Sequence, residues 1–322
     1  MRRSPLTPIA VTLLLAGCCV PAHSQDLRIG IIGTDSTHAV EFTRLLNDPA
    51  TPRQVSGAHI VAAYRGGNPE LDLSRDRIQA ITAQLVSTWH IDFVPAIQDL
   101  CPRVDGLLLL SVDPSLRKHE FEQAVACGKP IFVDKPFAPD LATAHALAAY
   151  ARKRHVPWFS ASAMRFGVVS SLKGAKIRSV LVSGPGALRA DYSLDLAWYG
   201  IHSIEMAYEV MGPGVQTVAR LHSDNTDVLD MTWKDGRAAV VRLVRPDASF
   251  RICVVDTAGD NVTRDNIAID YGALVSQIVD FLRSGKPPVA NAETLEIFSL
   301  MDAAQRSMRH AGARVRVPAS RP

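Results

Sequence analysis

The first half of the chain alternates short apolar runs with segments of helical periodicity. The run 104–111, with four consecutive leucines, is typical of a strand buried on both faces of a parallel sheet. Repeated strand–helix units of this length predict a doubly wound parallel (Rossmann-like) sheet with right-handed crossovers. The predicted strands are 27–33, 58–65, 104–111, 131–133 and 157–162. The predicted helices are 37–46, 74–85, 115–127 and 138–154.

The pattern changes after residue 162, where turn-rich segments of alternating polar and apolar residues begin. Asp235-Gly236 between two of these segments is a hairpin signal. The predicted strands are 177–183, 226–233, 237–244 and 249–256, and the predicted helices are 199–211, 270–284 and 292–310. This pattern predicts an α+β domain with a mostly antiparallel, open sheet. We therefore expect one domain over 26–160, another over 161–322, and a small-molecule site in the cleft between them.

Residues 1–24 are typical of a signal peptide that is not part of the fold. Arg2 and Arg3 precede the apolar run 9–20, which is too short to span a bilayer. Two processing sites compete within it. Residues 22–24 are small enough for signal peptidase, whereas 15–18 is similar to a bacterial lipobox and would make Cys18 a lipid anchor. Both predict an exported protein, periplasmic or lipid-anchored in a bacterium, with no further membrane span.

Charge and cysteine content narrow the classes of partner. Loss of residues 1–24 removes two arginines and no acid, so the formal net charge falls from +3 to +1 (35 less 2 basic residues against 32 acidic). No basic run remains, which argues against nucleic acid as a partner. Cys101, Cys127 and Cys253 are too few for a disulfide framework and lack metal-ligand spacing. We expect a small-molecule partner and no metal.

The end of the predicted strand 131–133 carries Asp134, Lys135 and Pro136. In open α/β sheets, ligands bind at the carboxyl ends of the strands. Pro136 restricts the backbone of Lys135 to an extended conformation, so its ammonium leaves the strand in a set direction. A lysine held there can hydrogen-bond a substrate hydroxyl or move a proton. The alternative is a solvated surface lysine.

Several motifs, in order, resemble the glucose–fructose oxidoreductase / inositol dehydrogenase family. The 134–136 triplet is similar to its Glu-Lys-Pro motif, Arg165-Phe166 to the Arg-Phe pair at its domain junction, and 200–205 to its Gly-x-His-x-x-Asp segment. Ser111 and the three residues after it are similar to the exit of its fourth strand. The resemblance covers nearly all of the mature chain. It implies that 26–160 binds a dinucleotide and that 161–322 binds substrate and supports a homo-oligomer.

The resemblance also implies a reaction, in which a hydride passes between a sugar carbon and nicotinamide. Lys135 would orient the reacting hydroxyl beside the cofactor, and His202 would take its proton, since histidine titrates near neutral pH. Ser111 and Asp134 would contact the cofactor, and Arg165 the substrate. For His202 the alternative is a core histidine on the helix 199–211.

The chain departs from the family just before His202. The family has an aspartate four residues before this histidine, whereas this chain has Trp198. Indole is only a hydrogen-bond donor, so it cannot accept or relay a proton. Tyr199, Asp195 or Glu205 could substitute, and spacing does not choose among them. Trp198 could instead stack on a sugar face, because aromatic rings cover apolar C–H surfaces well.

The second departure is in the phosphate loop. A dinucleotide fold has Gly-x-Gly-x-x-Gly between strand and helix. Here the segment is Gly33-Thr34-Asp35-Ser36-Thr37-His38, and Gly30 lies upstream. A carboxylate about 4 Å from a phosphate charge costs on the order of 4 kcal/mol at an effective dielectric near 20. Gly30, Gly33, Thr34, Asp35 and Ser36 are still the candidates for cofactor contact, because hydroxyls and a helix N-terminus can hold an anion. The alternative is a simple helix start.

The end of the second predicted strand bears on cofactor type. NAD-preferring folds place an acid there for the ribose hydroxyls, whereas this chain has Arg65. Arg65 could face a 2′-phosphate, which favours NADP over NAD, or be an ordinary surface arginine. Since no nicotinamide pool is expected outside the cytoplasm, any cofactor would be held without release.

Three functions remain open on the sequence. The first is an exported oxidoreductase that transfers a hydride between tightly held NAD(P) and a sugar, polyol or glycoside. The second is a cofactor-free carbohydrate-binding protein or inactive relative on the same fold. The third is a hydrolase or lyase that uses Asp35 and His38 in the altered loop.

Overall fold

The computed structural model, which describes residues 25–174 and 176–319, begins with a six-stranded sheet. Its strands are β1 (Leu27–Ile32), β2 (Ala58–Tyr64), β3 (Asp92–Val94), β4 (Gly106–Leu109), β5 (Ile131–Val133) and β6 (Trp158–Ser160). Its helices are α1 (Thr37–Asn47), α2 (Asp72–Arg75), α3 (Ile78–Trp89), α4 (Arg117–Ala126) and α5 (Leu141–Lys153). All neighbouring strands are parallel, in the order β3-β2-β1-β4-β5-β6. The order reverses between β1 and β4, and a ligand crevice forms at such a switch point.

The second half forms a seven-stranded mixed sheet. Its strands are β7 (Ile177–Pro185), β8 (Val215–His222), β9 (Thr226–Trp233), β10 (Ala238–Val244), β11 (Phe250–Asp256), β12 (Asn261–Ile267) and β13 (Val315–Arg316). Its helices are α6 (Gly200–Met211), α7 (Tyr271–Ser284) and α8 (Asn291–Arg309). The order is β12-β11-β7-β10-β9-β8-β13, and only the β7–β10 pair is parallel. Helices α6 and α8 pack on this sheet.

The predicted fold class is confirmed, and most predicted elements are present within a few residues. The predicted helix 74–85 is two helices, α2 and α3. Strands β3, β8 and β12 were not predicted, whereas β13 lies in the segment 292–317, whose similarity to the closing helix and strand of the family implies a strand. Strand β3 is only three residues long, β12 is largely exposed, and a register shift between Val215 and Thr217 interrupts the alternation of β8. None of these three therefore carries a regular apolar period.

Helix α7 returns from the second sheet to pack on the first. Its buried side chains share one apolar cluster with β1 and with Phe42 of α1. Gly106 makes room for it, since a Cβ there would lie 2.7 Å from a methyl carbon of Leu282. Asp270 caps the helix by accepting a hydrogen bond from the N–H of Ala273 at 3.0 Å. A boundary at residue 160 therefore divides the two sheets, but α7 of the second half still belongs to an apolar core of the first.

One disulfide joins Cys101, before β4, to Cys127, after α4. Cys253 in β11 is a free thiol. The three cysteines thus give one bridge and no larger framework. Within residues 25–174 and 176–319, no helix is both long and apolar enough to cross a membrane, and no cluster of His, Cys, Asp and Glu side chains could hold a metal ion. The predicted signal peptide and the candidate anchor Cys18 lie outside the described residues.

Candidate active site

A cavity of about 290 Å³ lies at the carboxyl ends of the first sheet, where the two halves of the chain meet. Its polar lining residues lie at the ends of β4 and β5 and at the starts of three helices. The predicted site residues that line it are Ser36, Ser111, Asp134, Lys135, Trp198, Tyr199 and His202. Side chains that were not assigned to the site also line it, among them His38, Arg77, Tyr192 and Tyr271.

Lys135 leaves the end of β5 and points into this cavity. Its Nζ donates a hydrogen bond to the carbonyl oxygen of Trp198 at 3.2 Å. The same atom lies 5.1 Å from the centre of the Trp198 ring and 5.9 Å from that of Tyr199. Burial lowers the pKa of the Lys135 ammonium, and the charges of Asp134 and Glu205 oppose this only in part. The geometry therefore fits a proton-handling lysine and not a solvated one.

His202 lies in the first turn of α6 with its side chain 9% exposed. Its Nδ1 shares a hydrogen bond with Ser162 Oγ at 2.7 Å. Burial, helped by the charge of Lys135, holds the pKa of His202 well below its usual value. The ring is therefore neutral at neutral pH and can accept a proton from a ligand in the cavity.

Of the three residues considered in place of the acid lost at Trp198, only Tyr199 contacts the His202 ring. The two ring centres are 5.4 Å apart and edge-on. The carboxylates of Asp195 and Glu205 are each bonded to a buried arginine instead, at 2.8 Å. No acid replaces the missing one on this helix, and His202 relies on a serine hydroxyl.

His38, at the start of α1, lines the cavity and forms a carboxylate–imidazole pair there. Its Nδ1 lies 2.6 Å from Asp134 Oδ2, and its Nε2 lies 3.0 Å from the Tyr271 hydroxyl. The ring also stacks on Phe42, with centres 5.3 Å apart. Burial alone would raise the pKa of the Asp134 carboxyl, but His38 and Lys135 hold it below its usual range. The acid partner of His38 is thus Asp134, and not Asp35 as the third hypothesis supposed.

Arg165 lies beneath the cavity and does not line it. Its side chain is 2% exposed, and its guanidinium pairs with Glu205 at 2.8 Å, Glu209 at 3.1 Å and Glu293 at 2.7 Å. Its Nη2 is buried without a hydrogen-bond partner among the described residues, but burial and the three carboxylates hold the guanidinium away from the cavity. The prediction that Arg165 faces the substrate is therefore corrected, because Arg165 instead anchors α6 and α8 to the end of the first sheet.

The predicted phosphate loop is buried, and its first residues face inward. Gly33 has φ +88°, and a Cβ there would lie 2.1 Å from Ser111 Oγ, so only glycine fits where β1 approaches β4. The Thr34 hydroxyl bonds to the Thr82 hydroxyl at 3.0 Å, away from the cavity. Gly30 lies within β1, where a Cβ would meet the Val104 side chain at 3.1 Å. The cofactor role predicted for Gly30 and Thr34 is therefore corrected to packing.

Protein atoms close the groove between β1 and β4. Asp35 is fully buried, and its Oδ1 accepts a hydrogen bond from the N–H of Val112 at 3.0 Å. Its Oδ2 is buried with no hydrogen-bond partner among the described residues. Above it, Asn68 Nδ2 donates to Asp113 Oδ2 at 2.7 Å, which links the end of β2 to the end of β4. A dinucleotide diphosphate, which lies at this switch point in Rossmann folds, does not fit these residues as they stand.

Glu120 adds a second carboxyl group beneath the same groove. It is 3% exposed, and its Oε1 accepts a hydrogen bond from Ser111 Oγ at 2.7 Å. Burial, helped by the nearby charges of Asp35 and Asp113, raises the pKa of Glu120 to about 7. The floor of the groove is therefore rich in carboxyl groups, which is the opposite of what a phosphate needs.

The two remaining predicted cofactor residues are Ser36 and Arg65. Ser36 caps α1, where its Oγ accepts a hydrogen bond from the N–H of His38 at 3.2 Å, and it also lines the cavity. The simple helix start that the sequence allowed is thus present. The Arg65 side chain is exposed at the end of β2. Its role toward a 2′-phosphate stays a prediction.

Comparison with known proteins places the fold. No protein-family model matches the chain, and no curated protein matches it. A probable dehydrogenase from Thermotoga maritima matches with a TM-score of 0.70 at 19% identity, over 90% of this chain and 99% of that chain. Myo-inositol dehydrogenase from Lactobacillus casei, in complex with NAD(H) and myo-inositol, matches with a TM-score of 0.71 at 15% identity, over 92% and 98%. The WlbA dehydrogenase from Bordetella pertussis, in complex with NADH and UDP-GlcNAcA, matches with a TM-score of 0.67 at 17% identity, over 91% and 99%.

These matches confirm the predicted resemblance at the level of the fold. The chain has the two-domain fold of sugar and inositol dehydrogenases over nearly its whole described length. Within that fold, sequence reasoning missed His38 and Tyr271 as joint members of the site. His38 was visible only as part of the altered loop, and Tyr271 carried no signal, because its helix is distant in sequence.

Glu120 predicts a pH dependence of stability. Its folded-state pKa of about 7 exceeds the ordinary value of 4.5. The stability that Glu120 contributes is therefore present in full below about pH 4.5 and is lost as the pH rises through 7. Glu120→Gln should therefore gain stability relative to wild type between pH 5 and pH 8, by up to about 3 kcal/mol. Urea unfolding at both pH values measures this difference. Glu70→Gln, on an exposed glutamate, is the control, and the same constant difference for both variants would contradict the assignment.

The position of the Asp35 carboxylate predicts that it weakens the binding of a dinucleotide. Asp35→Gly should lower the dissociation constant for NAD or NADP by roughly ten- to a thousand-fold, because it removes a like charge worth about 4 kcal/mol before screening. Asp35→Asn, which can still accept from Val112, isolates the charge and should give part of this gain. Isothermal titration calorimetry checks it. Wild-type affinity equal to that of both variants would show that the carboxylate does not obstruct the groove.

Proposed function

We propose that this chain is an enzyme of the oxidoreductase class that acts at a hydroxyl-bearing carbon of a sugar, polyol or glycoside. The observation that carries the proposal is the meeting of Lys135, His202 and the His38–Asp134 pair around one cavity. Removal of a hydroxyl proton requires side chains within reach that can accept the proton and stabilise the oxygen it leaves.

The walls of the cavity suit a sugar-like ligand. Trp198, Tyr199 and Tyr192 supply aromatic rings, and such rings cover the C–H faces of sugars well. Lys135 and His202 supply hydrogen bonds for hydroxyl groups. The volume of about 290 Å³ suits one small ring better than an extended chain.

The residues of the chain account for the proton half of the reaction. Lys135 donates a hydrogen bond to the oxygen of the reacting hydroxyl and stabilises negative charge as it develops there. The neutral ring of His202 accepts the proton that leaves. Lys135, held by the Trp198 carbonyl, is the residue that sets the position of the substrate oxygen.

A nicotinamide would supply the hydride acceptor when bound, as NAD(H) does in the solved dehydrogenases with this fold. Lys135, Ser111 and Asp134 would face its nicotinamide end, and Arg65 favours NADP. Binding requires Asp35 and the Asn68–Asp113 bond to leave the groove. Since the chain is expected outside the cytoplasm, we propose that any such cofactor is held without release.

The closed groove favours a second candidate, a cofactor-free carbohydrate-binding protein on the same fold. Its support is specific: the buried Asp35 carboxylate and the Asn68–Asp113 bond lie where a diphosphate would lie. On this account the aromatic cavity binds a sugar, and Lys135 and His202 serve recognition.

One experiment separates the two candidates. Native protein is denatured, and the supernatant is analysed for dinucleotide by ultraviolet spectrum and mass spectrometry. Turnover is then assayed with D-glucose, myo-inositol and a methyl glycoside. An oxidoreductase should release or bind a dinucleotide, and Lys135→Met should lower its turnover by about 10²- to 10⁴-fold.

Lys153→Met is the matched control, because Lys153 is an exposed lysine at the end of α5. It should leave turnover unchanged. A supernatant without dinucleotide, none bound on incubation, and sugar binding that survives Lys135→Met would reject the oxidoreductase and leave the second candidate.

We also propose that the protein is exported. The support is the leader-like segment 1–24 together with the Cys101–Cys127 disulfide, since disulfides persist in oxidising compartments. Native protein alkylated before reduction should be labelled at Cys253 alone among these three cysteines, and reduction should add two further labels. Peptide mass spectrometry reads this out. Labelling of Cys101 and Cys127 without reduction would remove this support for export.

A further inference from the structure

The cavity holds a hydrogen-bonded chain of three side chains to which the proposed reaction assigns no proton transfer. Tyr271, at the start of α7, bonds to His38 Nε2 at 3.0 Å, and His38 Nδ1 bonds to Asp134 at 2.6 Å. The three residues are far apart in sequence and come from α7, α1 and the end of β5. We propose that Tyr271 is a second acid–base residue of this cavity, whose hydroxyl touches the substrate while His38 and Asp134 position it and take up its proton.

The direction of the hydrogen bonds follows from the chemistry of the groups. Asp134 also accepts from the N–H of Lys135 at 2.8 Å, so both of its oxygens act as acceptors. An ionised carboxylate only accepts, so Nδ1 of His38 carries the hydrogen, and in the neutral ring Nε2 is then bare. The Tyr271 hydroxyl must then donate to Nε2. Its oxygen keeps lone pairs that can accept from a ligand.

Tyr271 is well placed to meet a ligand, and its partners are rigid. It lines the cavity together with Lys135 and His202. Its ring packs edge-on against His38 at 5.0 Å and against Phe42 at 5.9 Å, which fixes the position of the hydroxyl. Burial, with the charge of Asp134, raises the pKa of Tyr271, so the phenol does not ionise by itself. It can pass a proton on only while it receives another.

The proton transfer balances without an oxidant or a cofactor. The O–H bond of a substrate hydroxyl breaks and its proton goes to the Tyr271 oxygen, while the Tyr271 proton goes to His38 Nε2. His38 becomes an imidazolium whose Nδ1–H faces the Asp134 carboxylate, and the substrate oxygen keeps the electron pair. Together with His202 on α6, the cavity then has two groups that can accept a hydroxyl proton, at neighbouring positions of one ligand.

The proposal rests on a hydroxyl-bearing ligand in this cavity, so the first test needs no turnover. Long-range ¹H–¹⁵N spectra of ¹⁵N-histidine-labelled protein, with His38 assigned from the spectrum of His38→Asn, report its tautomer. The expected result is the Nδ1–H tautomer, with an Nε2 shift that changes in Tyr271→Phe. An Nε2–H tautomer in the free protein would overturn the relay. Failure of the proposed function alone would leave this result intact.

The second test uses substrate turnover on whichever of D-glucose, myo-inositol or the methyl glycoside is active. Tyr271→Phe and His38→Asn should each lower turnover by about 10²- to 10³-fold, and the double variant should be no slower than the slower single variant. Effects that multiply in the double variant would mean separate structural roles and would overturn the relay. Tyr192→Phe removes a hydroxyl that donates to the Val112 carbonyl, and it should leave the His38 spectrum unchanged.

Discussion

The buried carboxylate of Asp134 is the group on which the arrangement of the site depends. It stands at the end of β5, 5% exposed, and accepts hydrogen bonds from the backbone of Lys135 and the ring of His38. A charge in this position needs partners, because an unpaired buried carboxylate costs several kcal/mol. Its partners are the ring of His38 and the backbone N–H of Lys135, and both residues line the cavity. Asp134 therefore orients the ring of His38 and fixes the backbone from which the Lys135 side chain leaves.

Buried carboxyl groups also line the groove beside this site, where they oppose the binding of a diphosphate. Asp35, Asp113 and Glu120 converge at the ends of β1 and β4, and the charge of the buried Arg117 only partly opposes the rise in the Glu120 pKa. In the usual dinucleotide fold, glycine backbone and a helix N-terminus present N–H groups to the diphosphate. Here the N–H of Val112 is already taken by Asp35. The chain thus has the fold of the solved dehydrogenases, but carboxyl groups line the surface where the diphosphate would bind.

Sequence pattern was sufficient for the fold class of both halves, because the first has apolar runs between helices and the second has alternating strands with clear turn signals. Leu107 to Leu110 are fully buried, as such a run in a parallel sheet predicts. The site was predicted only where a residue stands at a strand or helix end, as Lys135 and His202 do. His38 and Asp134 are 96 residues apart and Tyr271 is 233 residues from His38, so no local pattern connects them. Arg165 was misassigned because its three acidic partners lie on α6 and α8, and pairing across elements is invisible in one sequence.

The return of α7 to the first sheet has a mechanical consequence. The backbone passes between the two sheets after β6, again before α7 and once more after it. Since the backbone connects the two halves at several places, they cannot rotate freely about one hinge. Their relative movement is limited to small sliding of packed helices. Tyr271 is the first residue of the crossing helix, so any such sliding would shift its hydroxyl against the ring of His38.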